Sequence, residues 1–138
     1  MKYLLDTNVV SELRREARAH PAARAWLENV DSDALHLSVL VIAELRVGVE
    51  QVARHDPTTG RRLEAWLDRV KRACRGRIYE IDRATAERWA RLSVPDPLPF
   101  VDGMLAATAL EHDLTLVTCN TKDVERTGVT LLNPFSSS

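Results

Sequence analysis

Residues 100–120 read FVDGMLAATALEHDLTLVTCN, and two periods meet in that stretch. A helix is predicted from about Phe100 to His112, followed directly by a strand from Leu114 to Thr118. Downstream, Val129 to Leu132 reads as another strand. Upstream, Pro95, Pro97 and Pro99 make a stiff loop, preceded by a helix from Thr85 to Leu92 and a strand from Ile78 to Ile81. Farther back, Leu63, Trp66, Leu67, Val70 and Cys74 recur every three or four residues, the stripe of an amphipathic helix that Gly76 ends. Pro57-Thr58-Thr59-Gly60 is expected to interrupt the chain before it. A long helix precedes that break, with Ser38 placed to cap it, and Leu35 to Leu37 is a brief strand. Ala22, Ala23, Trp26, Leu27 and Val30 sit at helical spacing, and a polar helical segment runs from about Val9 to a break at His20-Pro21. The apolar run from Lys2 to Leu5, ending at Asp6, reads as a buried first strand. Strands alternating with helices imply an α/β fold: a mostly parallel central sheet with helices on both faces, joined by right-handed connections.

The chain has 138 residues, with no repeat, low-complexity tract or linker, so a single domain spanning 1–138 is expected. Hydrophobic residues make up 45% and charged residues 28%, ordinary for a soluble globular protein. No apolar run approaches the ~20 residues needed to span a bilayer. The first residues meet Asp6 too early to form the core of a signal peptide, and a cytoplasmic location is expected. Cys74 and Cys119 stand far apart and the four histidines are scattered, which argues against a disulfide framework or a zinc site. Net charge is −1, so bulk electrostatics does not announce a nucleic-acid binder. Sixteen arginines stand beside three lysines; Arg suits phosphate, and a GC-rich genome produces the same bias. Seven bases between Arg61 and Arg77 read either as a solvated helix face or as a track for RNA.

The acids are more informative. In an open α/β sheet, ligands bind outside the carboxyl ends of the strands, near the point where strand order reverses. Asp6 ends the first strand. Asn120 and Asp123 follow the strand Leu114–Thr118 and can share that rim. Asp102 lies in the first turn of its helix, where the macrodipole favours an anion, among apolar or small neighbours that draw it toward the protein body. Glu44 follows Val39, Leu40, Val41 and Ile42, and an unpaired carboxylate buried there is costly, so it requires a cation, a donor or a cleft edge. Carboxylates that converge repel one another unless a cation joins them. Such oxygen-rich sets suit Mg²⁺ or Mn²⁺ and metal-assisted hydrolysis of a phosphodiester. Ten Asp and ten Glu also allow accidental groupings.

The stretch DTNVVSEL at 6–13, the AEL at 43–45 with Gly48 following, and the run VDGMLAATALEHDLTLVTCNTKDVERTGVTLLNP at 101–134 together resemble a PIN domain. The resemblance covers nearly the whole chain and is closest to the VapC/FitB-like toxins of type II toxin–antitoxin modules. It implies a three-layer PIN-like fold and a Mg²⁺- or Mn²⁺-dependent endoribonuclease that hydrolyses RNA. It also implies a homodimer, silenced by a cognate VapB-like antitoxin. Four acids match the family's catalytic, metal-holding set: Asp6, Glu44, Asp102 and Asp123. Thr7, Asn8, Thr118 and Asn120 match its supporting polar positions. Three residues depart from the family pattern: Cys119 where Arg is frequent, Val124 where Phe is usual, and Gly103 where Ala is common. For the antitoxin, Val9, Val10 and Leu13 are expected to form an exposed apolar patch. Two other readings weigh less. A haloacid-dehalogenase-like phosphotransferase wants a second Asp where Asn8 stands, and a catalytically silent PIN-like module binding RNA or protein has no need of four acids.

Overall fold

The computed structural model describes residues 1–136. Five short parallel strands form its sheet: β1 (Tyr3–Leu5), β2 (Leu35–Ser38), β3 (Ile78–Tyr79), β4 (Thr115–Val117) and β5 (Leu131–Leu132). Their order across the sheet is β3-β2-β1-β4-β5. The chain steps outward from β1 through β2 to β3, then crosses back to β4 and β5. Strand order therefore reverses between β1 and β4, the place where an open parallel sheet leaves a crevice. The backbone N–H of Asp6 donates to the carbonyl of Val117 at 2.9 Å, tying the ends of these two strands together.

Among the described residues, seven α-helices connect and cover the strands: α1 (Thr7–Leu13), α2 (Pro21–Asn29), α3 (Val39–His55), α4 (Pro57–Ala73), α5 (Arg83–Leu92), α6 (Phe100–His112) and α7 (Thr121–Val124). Alternation along β1 and β2 decides what each face meets. Leu5, Leu35 and Leu37 turn toward α1, α2 and α4, sharing an apolar cavity of about 180 Å³ with Val10, Leu27 and Val70. His36, between two of those leucines, turns the other way and stacks on Tyr79, whose ring stacks in turn on His112 of α6. Gly103 through Ala109 of α6 are buried without a break, as expected of a helix packed on more than one side. None of the described helices is long and apolar enough to cross a membrane.

Three expectations need correction. Pro57-Thr58-Thr59-Gly60 does not interrupt the chain; it is the first turn of α4. Only Asp56 separates α3 from α4, and its side chain caps α4 by accepting from the N–H of Thr59 at 3.1 Å. Gly60 is buried because a Cβ there would stand 2.7 Å from both Cα and Cβ of Ala53; it marks a close helix–helix approach, not a turn. The strands at 78–81 and 129–132 shrink to two residues each, since edge strands find a partner on one side only. Val9 and Val10 are no exposed patch. They are 1% and 4% exposed and belong to the core, because α1 turns that pair toward the sheet; Leu13 is half-buried.

Candidate active site

Asp6 is the residue at which β1 becomes α1, and its extended backbone makes it the N-cap of α1. Its carboxylate is 4% exposed, which demands donors. Three supply them. The backbone N–H of Thr7 donates to Oδ1 at 2.7 Å; on Oδ2 the Thr118 hydroxyl donates at 2.7 Å and the Asn8 amide at 3.0 Å. Thr118 is fully buried just beyond β4 and also accepts from the N–H of Asn120 at 3.0 Å. The Asn8 side-chain oxygen, Oδ1, accepts from the backbone N–H of Cys119 at 3.3 Å. Asp6, Asn8 and Thr118 thus hold the β1 and β4 ends as one polar unit at the strand-order reversal.

The other acids arrive from three helices. Glu44 lies in the second turn of α3 and is exposed with Ala43, while Val41 and Leu45 face inward. It escapes the cost of burial by standing at the cleft edge, where its Oε1 accepts the hydroxyl hydrogen of Thr7. Asp102 lies in the first turn of α6 and is half-buried. Burial pushes its carboxyl up to about 6, with the negative charges of Asp6, Asp123 and Glu44 adding to the rise. Asp123 sits in α7 and is exposed, yet its charge reaches Asp102. Val124, although smaller than the family's usual Phe, is 1% exposed in the core and anchors that turn. The charges of Asp6, Glu44 and Asp123 therefore all reach Asp102.

The supporting polar residues divide. Thr7, Asn8 and Thr118 each bond an acid. Asn120 contributes its backbone N–H to Thr118, whereas its side-chain oxygen accepts from the Cys119 thiol at 3.6 Å. Cys119 is exposed at the surface, and partial desolvation of its sulfur, with the charges of Asp6 and Asp102, holds its thiol above the usual range. Gly103, the third departure, admits the tryptophan beside it: a Cβ there would meet Trp89 Cδ1 and Leu98 Cβ at 3.0 Å. Ser11 and Arg14, which carried no expectation, line a groove that opens from Thr7 and Glu44. Their signal in the sequence is the i, i+4, i+7 spacing from Thr7 through α1 to its C-cap, Arg14.

Among the described residues, no three His, Cys, Asp or Glu side chains close on one point as a ready metal cage, although four carboxylates act on one another around Asp102. These observations agree if the cation is one that keeps much of its water. Mg²⁺ binds through one or two carboxylates and retains several waters, and the donor set here is entirely oxygen. The residues fit that group.

A PIN-domain family model matches residues 3–129. The chain belongs to the PIN-domain family. Among its relatives, toxin FitB of Neisseria gonorrhoeae is 31% identical, the match covering 96% of this chain and 97% of the relative. VapC ribonuclease Y4jK of Sinorhizobium fredii is 30% identical over 96% of both chains. Among solved structures, FitAcB from Neisseria gonorrhoeae superposes with a TM-score of 0.88 at 30% identity, covering 96% of this PIN domain and 98% of that chain. The three-layer fold read from the sequence is the fold of this family.

Proposed function

We propose that this PIN domain is the toxin of a type II toxin–antitoxin module and acts as a metal-dependent endoribonuclease in the cytoplasm. The observation that carries the reading is the placement of four acids by the strand-order reversal, with Asp6 at the end of β1, Glu44 bonded to the next residue Thr7, Asp102 opening α6 and Asp123 in α7; their charges and burial push the Asp102 carboxyl up to about 6. A protein gains nothing from gathering four repelling acids unless a cation joins them. Asp6, Glu44, Asp102 and Asp123 are the residues to hold Mg²⁺ or Mn²⁺. Such a metal, when bound, polarises a phosphate oxygen and activates a water for attack on the phosphodiester.

The chain's own part is positioning. Thr118 and Asn8 fix one oxygen of Asp6, so the acid arrives in a set orientation. Thr7 orients Glu44 from across the cleft. Asp102, half-buried among like charges, would offer its carboxylate to the cation, and a bound cation would offset the repulsion that raises its pKa. The relatives' names, FitB toxin and VapC ribonuclease, and the FitAcB complex support the same reading, with a VapB-like antitoxin and a second copy of the chain as partners.

The test is cleavage of single-stranded RNA by the purified protein. Cleavage is expected with Mn²⁺ or Mg²⁺, is stopped by EDTA, and is absent in a folded Asp6→Ala variant. Wild-type activity in that folded variant overturns the assignment. A folded wild-type protein that binds RNA without cutting it under either metal makes the chain a silent binding module instead.

A further inference from the structure

A groove of about 320 Å³ leaves the acid cluster at Thr7 and Glu44 and runs between α1, α3 and α4. Two helical rows flank it. Thr7 and Ser11 of α1 and its C-cap Arg14 follow one another at i, i+4 and i+7, and Glu44, Gly48 and Gln51 descend α3 at the same spacing. At this spacing residues share one face of a helix. The rows begin at a catalytic acid and its orienting hydroxyl. Four residues farther along α3, about 6 Å at the α-helical rise, Gly48 leaves the groove open: a Cβ placed there meets nothing within 4 Å. The half-buried indole of Trp66 closes the groove from α4. The Arg14 guanidinium lies 5.8 Å from the centre of that ring and makes no ion pair among the described residues.

We propose that this groove is a slot for one unstacked nucleobase of the RNA strand, adjacent to the phosphate held at the acids. The inference rests on the ribonuclease reading and deepens it. An indole face, a guanidinium plane, a hydroxyl (Ser11) and a side-chain amide (Gln51) are the groups by which proteins hold splayed-out bases, by stacking and by hydrogen bonds to base edges. The cation matters for a second reason. A pocket whose mouth carries carboxylates repels a polyanion, and Arg14 supplies positive charge at the far end of the same groove. Gly48 is the residue that keeps the space free.

The experiment uses the full chain and a single-stranded ribo-oligonucleotide carrying 2-aminopurine, whose fluorescence falls when it stacks. Gly48→Leu fills the groove, and because the site is open and leucine is the better helix former, its melting temperature is not expected to fall. The wild type is expected to quench the probe and Gly48→Leu to lose that quench. Trp66→Phe keeps a stacking face and is expected to retain it, and Arg14→Ala to weaken it. With cleavable RNA, Gly48→Leu is expected to raise KM about tenfold, the scale of one base stack, with kcat little changed. An RNA lacking only the adjacent base is expected to be cut equally poorly by both proteins. Quenching that persists in Gly48→Leu, or base removal that leaves the wild-type KM unchanged at every flanking position, overturns the slot. So does a Gly48→Leu protein that binds RNA normally and has lost only the antitoxin, which makes the groove a protein site. Absence of cleavage under Mn²⁺ defeats the ribonuclease reading alone, since quenching still decides the slot.

Discussion

Burial and three neighbouring negative charges push the Asp102 carboxyl up to about 6 from 3.8, and a raised pKa is a statement about stability. Below the unfolded value both states hold the proton and there is no penalty. Between about 4 and 6 the folded chain keeps a proton that the unfolded chain releases, so metal-free stability falls as pH rises through that window; above 6 the penalty is complete. A shift of this size is worth about 3 kcal/mol at most, and solvent screening of a half-exposed group cuts it to roughly 1 kcal/mol. Asp102→Asn is therefore expected to melt higher than wild type at pH 7.5 with EDTA present, by about 1 kcal/mol, and to show no gain at pH 4. The same variant is expected to cut no RNA. A lower melting point at pH 7.5 refutes the repulsion on which the site argument stands. Asp123 differs from Asp6 in a way that kinetics reads directly. Asp6 is held by three donors, whereas Asp123 is exposed and its side chain makes no hydrogen bond among the described residues. Asp123→Ala is expected to retain a measurable fraction of activity where Asp6→Ala retains none. Manganese titrations of both, read beside their melting curves, check this, with equal and complete losses as the contrary result.

At the scale of elements, the junction of α3 and α4 is the least forgiving feature outside the core. The two helices meet across Gly60 and Ala53 with only Asp56 between them. Gly60→Ala gains up to about 1 kcal/mol of helix propensity. It also drives a methyl to 2.7 Å from the Ala53 backbone, an overpacking that costs typically ~1–3 kcal/mol. The expected net result is a loss of about 1–2 kcal/mol in urea melts; a stabilised Gly60→Ala protein shows that the helices part easily. This junction also marks the limit of what the sequence declares. Pro57-Thr58-Thr59-Gly60 follows local turn preferences, and nothing local reveals that the glycine faces another helix across a tight contact. The burial of Val9 and Val10 escapes the sequence for a related reason: a seven-residue helix leaves its inward face to be decided by what packs against it. Asp6, Glu44 and Asp102 stand out as candidates in the sequence because each ends, interrupts or borders an apolar run, whereas Asp123, between Lys122 and Val124, borders none and is marked by its place beyond the β4 strand and by the family resemblance. Apolar runs are the part of a sequence that most directly reports burial. The groove of Ser11, Arg14, Gly48 and Trp66 was illegible, since it needs three helices, distant in sequence, to meet.

For the whole molecule, charge sets the terms on which anything approaches the site. Net charge is −1, yet four carboxylates crowd one crevice, and three of them raise the fourth. A basic side chain from a partner would take the place proposed for the cation there, forming charge-assisted hydrogen bonds with carboxylates that otherwise repel one another. The partner's apolar anchor cannot be Val9 and Val10, which are spent in the core. The surface beside them is a better candidate, where Leu13, Leu27 and Trp66 border the apolar cavity over β1 and β2. An antitoxin built this way carries a short apolar segment and an Arg or Lys one reach beyond it. The chain expressed alone is expected to arrest growth of its host, and co-expression of the neighbouring gene's product to restore it. Replacing the antitoxin's basic residue by Ala is expected to weaken inhibition of RNA cleavage in vitro by about tenfold or more, the scale of one charge-assisted contact, while the complex still forms through its apolar segment. Inhibition by the altered antitoxin should then recover as its concentration rises, because affinity is lowered and the mode of binding is kept. Free growth of cells expressing the active nuclease without a partner would defeat the toxin reading and leave the nuclease standing.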